Sequence, residues 1–129
     1  MIQFYYKSPN IEILPSYKDK DITRHLLYSF ASYLRGDFTY EKFSDELKDI
    51  NNDKRFPSLF EFIFNISGNV YRYGFTCNHR RIYEEWLYCN ESKMFNRQVD
   101  DLSIKLRRDV KDYLIDSMSK LYKEVSKPY

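Results

Sequence analysis

The chain has 129 residues, enough for one domain with its own core, and its 21 basic and 19 acidic side chains give a formal net charge of +2. This near balance does not indicate binding to nucleic acid or anionic membranes through bulk positive charge, and 19% aromatic residues exclude intrinsic disorder. The N-terminus lacks a basic region followed by a long apolar one, and no run of about 18 apolar residues occurs. We therefore expect no signal peptide and no membrane span, and predict a soluble cytoplasmic protein.

The first part of the chain, residues 1–56, combines short strands and helices. Residues 2–6 and 11–14 are β-prone and are separated by Ser-Pro-Asn, a turn sequence. A helix capped by Asp19 or Asp21 is predicted to run to about Leu34, because apolar residues recur there every three or four positions.

A second, shorter helix is predicted after Gly36, a residue that suits the end of the first helix. Thr39 can cap this second helix, whose apolar positions are Phe43, Leu47 and Ile50. Residues 51–54 then read as a polar loop closed by Pro57.

The centre of the chain, residues 57–99, changes to the two-residue period of strands. Apolar residues alternate with polar ones over 60–66 and again over 69–77, and further strands are predicted over 81–89 and 93–99. Turn sequences separate these segments at Ser67-Gly68, Asn78-His79 and Asn90-Glu91-Ser92. Because the turns are short, the strands should form an antiparallel meander.

The last part, residues 100–127, is predicted to be one long helix that starts at Asp100 or Asp101 and ends near Lys127. One apolar stripe runs along it, formed by Leu102, Leu106, Val110, Tyr113, Leu114, Met118, Leu121 and Val125. The predicted fold class is α+β in a single domain, 1–129: an antiparallel β meander of three to four strands flanked by helices, with a long C-terminal helix.

Three aromatic side chains of the second predicted meander strand, Tyr71, Tyr73 and Phe75, share one sheet face. We expect them to pack in the core. Base stacking is the alternative, and it would require these rings to lie in solvent beside basic residues.

Arg72 projects from the opposite face, where Glu84 or Trp86 of the next strand is expected across from it. Trp86, the only tryptophan, is expected to be a core anchor, with an interface hot spot as the alternative. The neighbours Glu84 and Glu85 project to opposite faces, so they cannot form a catalytic carboxylate pair. We expect one of them to be buried against an arginine and the other to be solvated.

A basic turn, His79-Arg80-Arg81, is predicted at the tip of a hairpin. An exposed tip of this kind could contact a phosphate or an acidic partner surface. Three further residues could extend the basic patch, although nearby aspartates dilute it: Arg97, Arg107 and Arg108.

The two cysteines, Cys77 and Cys89, are too few for a disulfide framework, and we expect reduced, buried thiols. His79 is close to Cys77, but His25 is far away in the sequence, so no metal site is predicted. No catalytic residue and no cofactor site are predicted, because no nucleophile stands in a recognisable activating arrangement.

Four sequence pieces between residues 57 and 97 occur together in order: Pro57-Ser58-Leu59-Phe60-Glu61-Phe62-Ile63-Phe64, Val70-Tyr71-Arg72-Tyr73-Gly74-Phe75, Arg81-Ile82-Tyr83-Glu84-Glu85-Trp86-Leu87-Tyr88 and Met94-Phe95-Asn96-Arg97. This series resembles the antiparallel β segment of bacterial ABC-type ATPases of the abortive-infection and overcoming-lysogenization-defect kind. The resemblance covers about a third of the chain and implies a β lobe of such a phage-defence ATPase.

The motifs that ATP chemistry requires are missing from this sequence. None of its glycines, Gly36, Gly68 and Gly74, precedes the Lys-Ser or Lys-Thr of a phosphate-binding loop. The nearest match to the metal-binding strand is residues 113–116, which lack the Glu that should follow Asp116. ATP hydrolysis by this chain is therefore not expected.

Together these features predict a non-enzymatic protein-interaction module that acts as a subunit, fragment, or inhibitor or decoy of a defence complex. Its expected partner is an ATPase or another subunit of that complex, or a second copy of this chain bound as a homodimer through the C-terminal helix. The alternative is a small nucleic-acid-binding protein that uses the His79–Arg81 tip and the basic face of that helix. An enzyme with an unrecognised site is a third, weaker alternative.

Overall fold

In the part of the chain that the structure describes, six antiparallel strands form one open sheet, and three helices lie against one of its faces. The structure is a computed structural model that describes residues 2–52, 57–98 and 106–127. In chain order the elements are β1 (Ile2–Lys7), β2 (Glu12–Ile13), α1 (Lys20–Arg35), α2 (Tyr40–Asn51), β3 (Ser58–Ile66), β4 (Asn69–Cys77), β5 (Ile82–Cys89), β6 (Ser92–Gln98) and α3 (Arg108–Val125). The predicted α+β class is confirmed.

The strand order is β2-β1-β3-β4-β5-β6, with every neighbouring pair antiparallel. The predicted meander is β3 to β6. The sheet is wider than the meander because β1 pairs along β3, with Phe4 opposite Phe62, and β2 continues beyond β1. Ile2, Phe4 and Tyr6 are buried at alternate positions, so β1 contributes to the same core face as the meander.

The predicted caps of the first two helices are present. Asp19 accepts a hydrogen bond from the amide of Ile22 at 3.0 Å, and Gly36 ends α1 in the left-handed conformation with φ +85°. Thr39 accepts one from the amide of Lys42 at 3.1 Å at the start of α2. These caps satisfy amide groups that the helices themselves cannot pair.

A cluster of aromatic rings lies at the centre of the core, between the helices and the sheet. Phe30 of α1 lies 4.8 Å from Phe75 and 5.5 Å from Phe62, measured between ring centroids. Phe60 and Phe75 stack across β3 and β4, also at 4.8 Å. Tyr73 and Phe75 are fully buried, as expected, so these two rings are not available for base stacking.

The C-terminal helix is shorter than predicted. It begins at Arg108, since Leu106 and Arg107 are not helical. It spans 18 residues, or five turns, and so covers only part of the predicted span of 100–127. Asp100 and Asp101, the predicted starts, lie outside the described residues. Leu106 is buried but not helical. Because it lies four residues before Val110, it continued the apolar pattern of the helix and made the predicted helix too long.

The apolar stripe of α3 is covered by the same chain. Val110, Leu114, Met118, Leu121 and Val125 are buried in the core formed with α1 and the sheet. The prediction of a homodimer through α3 assumed that this apolar stripe was exposed, and it is not.

The end of α2 also differs from its prediction as a polar loop. Asn51 is the last helical residue and is buried. Its Nδ2 donates to the Tyr6 hydroxyl and to the Leu47 carbonyl, both at 2.8 Å, while its Oδ1 accepts from Ser8. The Tyr6 hydroxyl also bonds Ser58 at 2.8 Å, so this network ties α2 to β1 and β3. Residues 53 and 54 of the predicted loop lie outside the described residues.

Candidate interaction surface

The face of the sheet turned away from the helices carries the main candidate surface. Because Phe60, Phe62 and Phe64 point into the core, the residues between them point the other way, and the register extends this pattern across the sheet. We call this surface the open face and define it by Glu61, Ile63, Val70, Arg72, Gly74, Glu84, Trp86, Tyr88, Lys93 and Asn96.

Trp86 lies across Gly74 at the centre of the open face. The two residues are directly opposite in the β4–β5 register. A Cβ atom at position 74 would lie only 2.5 Å from Cε2 and 2.7 Å from Nε1 of the indole, so the ring occupies the space that glycine leaves. The indole N–H donates to Oε2 of Glu61 at 3.1 Å. Trp86 is only 8% exposed, as expected for an anchor, but it is on the open face and not in the core cluster.

Arg72 is held on the open face by two contacts. Its Nη1 donates to Oε2 of Glu61 at 3.3 Å, and its guanidinium lies 4.3 Å from the ring centroid of Tyr88. The expected partners from the next strand were Glu84 or Trp86. The register instead places Tyr88 opposite Arg72, and the ion pair forms diagonally with Glu61 of β3.

Two exposed aliphatic residues adjoin this cluster. Ile63 is 37% exposed and Val70 is 46% exposed, and both line a shallow depression of about 370 Å³ beside Arg72 and Tyr88. The charges on the open face are mixed, since Arg72 and Lys93 are accompanied by Glu61 and Glu84. A surface with this composition suits a protein partner better than a phosphate backbone.

Sequence reasoning did not single out Glu61, Ile63 or Val70, although the signal was present. The buried phenylalanines of β3 fix the outward direction of Glu61 and Ile63 by strand alternation alone. What the alternation did not show is that none of the described helices covers this outward face.

One of the two glutamates was expected to be buried against an arginine, and that residue is Glu85, while Glu84 is half-buried. Glu85 is fully buried and accepts hydrogen bonds from Tyr73 Oη at 2.6 Å and from Arg97 Nε at 3.0 Å and Nη2 at 2.5 Å. Burial, followed by the charge of Glu85, raises the pKa of Tyr73 well above its usual value. Arg97 is therefore engaged on the core side of the sheet, away from the basic patch that it was predicted to extend.

The predicted hairpin tip, residues 79–81, is exposed at the β4–β5 turn. Asn78 shapes the turn, because its Oδ1 accepts from the amides of Arg80 at 2.8 Å and Arg81 at 3.1 Å. Tyr40 and Ser44 of α2 donate to the carbonyls of residues 78 and 79 at 2.7 and 3.1 Å, so the tip is fixed against that helix.

Arg107 and Arg108 lie at the other end of the sheet. Tyr113, in the second turn of α3, donates to the carbonyl of Asn65 at 2.5 Å, and its ring lies 5.9 Å from that of Phe64, so the start of α3 lies near the β3–β4 turn. The hairpin tip follows the end of β4, about 25 Å away at 3.4 Å per residue. The structure therefore does not assemble the tip and these arginines into one patch. Arg107 and Arg108 pair with Asp109 and Asp112 at 3.4 and 3.9 Å.

The remaining candidate ligand residues are engaged in structural contacts or lie apart. His25 Nε2 is 2.5 Å from Oε2 of Glu46, and this contact joins α1 to α2. A hydrogen bond from Lys42, then one from His25, lowers the pKa of Glu46. Both cysteines are free; Cys77 is buried, and burial raises its pKa to about 12, while Cys89 is half-buried. Within residues 2–52, 57–98 and 106–127, no three His, Cys, Asp or Glu side chains are grouped so as to hold a metal ion.

The motifs that carry the family resemblance lie on consecutive strands, β3, β4, β5 and β6. Comparison of the chain with protein-family models, curated proteins and solved structures finds no match. The resemblance thus rests on those motifs alone. Among the described helices, none combines the length and apolar character needed to cross a membrane.

Proposed function

We propose that this chain is a non-enzymatic interaction module that binds a protein partner through the open face of its sheet. The observation that carries the proposal is the Arg72–Tyr88 pair, which lies beside the exposed aliphatic residues Ile63 and Val70 on a face that no described helix covers. Tyrosine and arginine are among the residues that dominate binding energy at protein interfaces. Because Glu61 and the Tyr88 ring already hold Arg72, and the nearly buried Trp86 is fixed against Gly74, little side-chain freedom would be lost on binding.

The proposed partner is an ABC-type ATPase subunit of a phage-defence complex. The resemblance of residues 57–97 to the β lobe of such ATPases supports this choice, and the missing phosphate-binding and metal-binding motifs support a role without ATP hydrolysis. The chain would then act as a subunit, a fragment, or an inhibitor or decoy that occupies the position of the ATPase's own β lobe.

Nucleic-acid binding through the hairpin tip is the second candidate. It is supported by the exposure of residues 79–81. It is weakened because Arg97 is bonded to buried Glu85, and because Arg107 and Arg108 lie at the far end of the sheet. A phosphate-tracking groove needs its cations along one continuous path.

The test is purification of the tagged chain from the cell that carries its gene, followed by identification and quantification of the retained proteins. Ile63→Lys and Val70→Lys place a charge on the open face at exposed positions. Leu14→Lys is the matched control, because Leu14 is 50% exposed and lies outside the open face. Thermal unfolding of all three variants verifies that they remain folded.

Stoichiometric recovery of an ABC-type ATPase with the wild type and Leu14→Lys, but not with the two open-face variants, supports the proposal. Failure to recover such an ATPase, or equal recovery with all variants, contradicts it. Recovery of nuclease-sensitive nucleic acid, lost steeply with salt and in Arg80→Gln, would favour the second candidate.

A further inference from the structure

A groove between α1 and α3 lies on the helical layer, away from the open face. Its floor is formed by the buried side chains of Leu27, Ala31 and Met118, and its walls by Tyr28 and Tyr122. The small side chain at position 31 leaves the gap between the helices. The groove has a volume of about 230 Å³ and opens to solvent.

The two walls are exposed aromatic rings. Tyr28 is 54% exposed, and its ring contacts Phe38 edge-to-face at 6.0 Å, which fixes that wall. Tyr122 is 37% exposed on α3. A cavity of about 150 Å³ can hold benzene, so this groove has room for one aromatic ring with a short chain.

Each end of the groove carries a cation. The start of α1 lies beside the end of α3, since Lys20 and Val125 line the same depression, so the two helices run antiparallel. Arg35, at the end of α1, and Lys123, near the end of α3, therefore lie at opposite ends of the groove. Arg35 is bonded to Asp37 at 3.1 Å and to Ser32 at 3.2 Å, whereas Lys123 forms no ion pair with any described residue. Of these two cations, Lys123 is thus the one open to a new ion pair.

We propose that this groove binds a small amphipathic anion, an aromatic ring on a short chain that ends in a carboxylate. The ring lies on Leu27, Ala31 and Met118 between the two tyrosines, and the carboxylate pairs with Lys123. This site is separate from the open face, so the inference does not depend on the proposed function.

The probe is 3-phenylpropionate, titrated into the ¹⁵N-labelled full chain and followed by amide chemical shifts, with 3-phenylpropanol as the uncharged analogue. A ligand of this size should bind with a dissociation constant on the order of 1 mM. The largest shifts should occur in α1 and α3 around Ala31 and Ser119. We expect the alcohol and the Lys123→Gln variant each to weaken binding by about two- to fivefold, the range for an ion pair at an exposed lysine.

Lys120→Gln is the matched control, because Lys120 is also an exposed α3 lysine but does not line the groove. Ser119→Tyr fills the groove from an exposed position without altering the core, and should abolish binding while leaving the unfolding temperature unchanged. The inference is overturned by the absence of shifts up to 10-fold above the expected constant, by shifts centred elsewhere, or by equal binding of acid and alcohol. It is also overturned if light scattering shows a dimer that Ser119→Tyr dissociates, because a second copy would then occupy the groove.

Discussion

Replacing Gly74 with alanine should displace Trp86 from the open face. Gly74 does not have a left-handed φ, so an alanine backbone fits, and the effect comes from its methyl group alone. That methyl group would lie 2.5 Å from Cε2 of the indole, more than 1 Å inside an ordinary contact. The strand backbone cannot yield without breaking its pairing to β3 and β5, so the indole must move and lose its hydrogen bond to Glu61.

The expected cost follows from these two changes. Overpacking of this kind costs about 1–3 kcal/mol, and the lost indole–carboxylate hydrogen bond adds about 1 kcal/mol. We therefore expect Gly74→Ala to lower the free energy of unfolding by about 3 kcal/mol, and the melting temperature by roughly 10 °C.

Because Trp86 is the only tryptophan, its fluorescence reports the displacement directly. Folded Gly74→Ala should emit at a longer wavelength and be quenched more strongly by acrylamide than the wild type, and circular dichroism gives the stability. Gly68→Ala is the control: its φ of +86° makes alanine cost about 1 kcal/mol, but no atom lies within 4 Å and the emission should not change. Wild-type emission and stability in Gly74→Ala would show that the indole does not lie on Gly74.

Three further predictions concern buried and titrating groups. Glu85→Gln should lower the free energy of unfolding by about 2–4 kcal/mol, because it leaves the partly buried Arg97 without its counter-charge. Urea unfolding should show a much smaller change for the control, Glu84→Gln. Equal losses in the two variants would contradict the buried Glu85–Arg97 ion pair. The folded-state pKa of Glu46 is depressed, so its stabilising contribution is present above its unfolded pKa and is lost as the pH falls below about 4.5. Urea midpoints measured from about pH 5 to about pH 3 should therefore fall less in Glu46→Gln than in the wild type, and parallel profiles would refute the linkage. An aromatic disulfide reagent should titrate Cys89 in the folded protein and reach Cys77 only after unfolding, because burial raises the pKa of the Cys77 thiol to about 12; a fast-reacting thiol that persists in Cys89→Ser would contradict this.

Local signals in the sequence were sufficient for most of the elements. Asp19, Thr39 and Gly36 marked helix ends because capping depends on the chemistry of one residue and its nearest amides. The meander was predictable because strand alternation and short turns are both local. The start of α3 could not be predicted in this way, because Leu106 has the spacing of a helical core residue but is buried outside the helix.

The features that escaped prediction depend on contacts distant in the sequence. Asn51 has a polar side chain after an apolar helix, which is typical of a loop. It is buried because its side chain forms hydrogen bonds with Tyr6 and Ser8, which are more than 40 residues away in the sequence. The ion pair of Arg72 depends on which strand lies on each side of β4. The expected basic patch failed because sequence distance does not show that Arg107 lies at the opposite end of the sheet from residues 79–81.

The pairing of β1 with β3 determines which residues must accompany the central segment, 57–97, if it is grafted into another protein. Phe4 lies opposite Phe62, and Phe30 stacks over the same rings, so residues from the first quarter of the chain cover the segment that resembles an ATPase β lobe. If residues 57–97 were grafted alone, one edge of β3 would be unpaired and a row of phenylalanines exposed. The smallest transplantable unit therefore includes β1 and α1 as well as the meander.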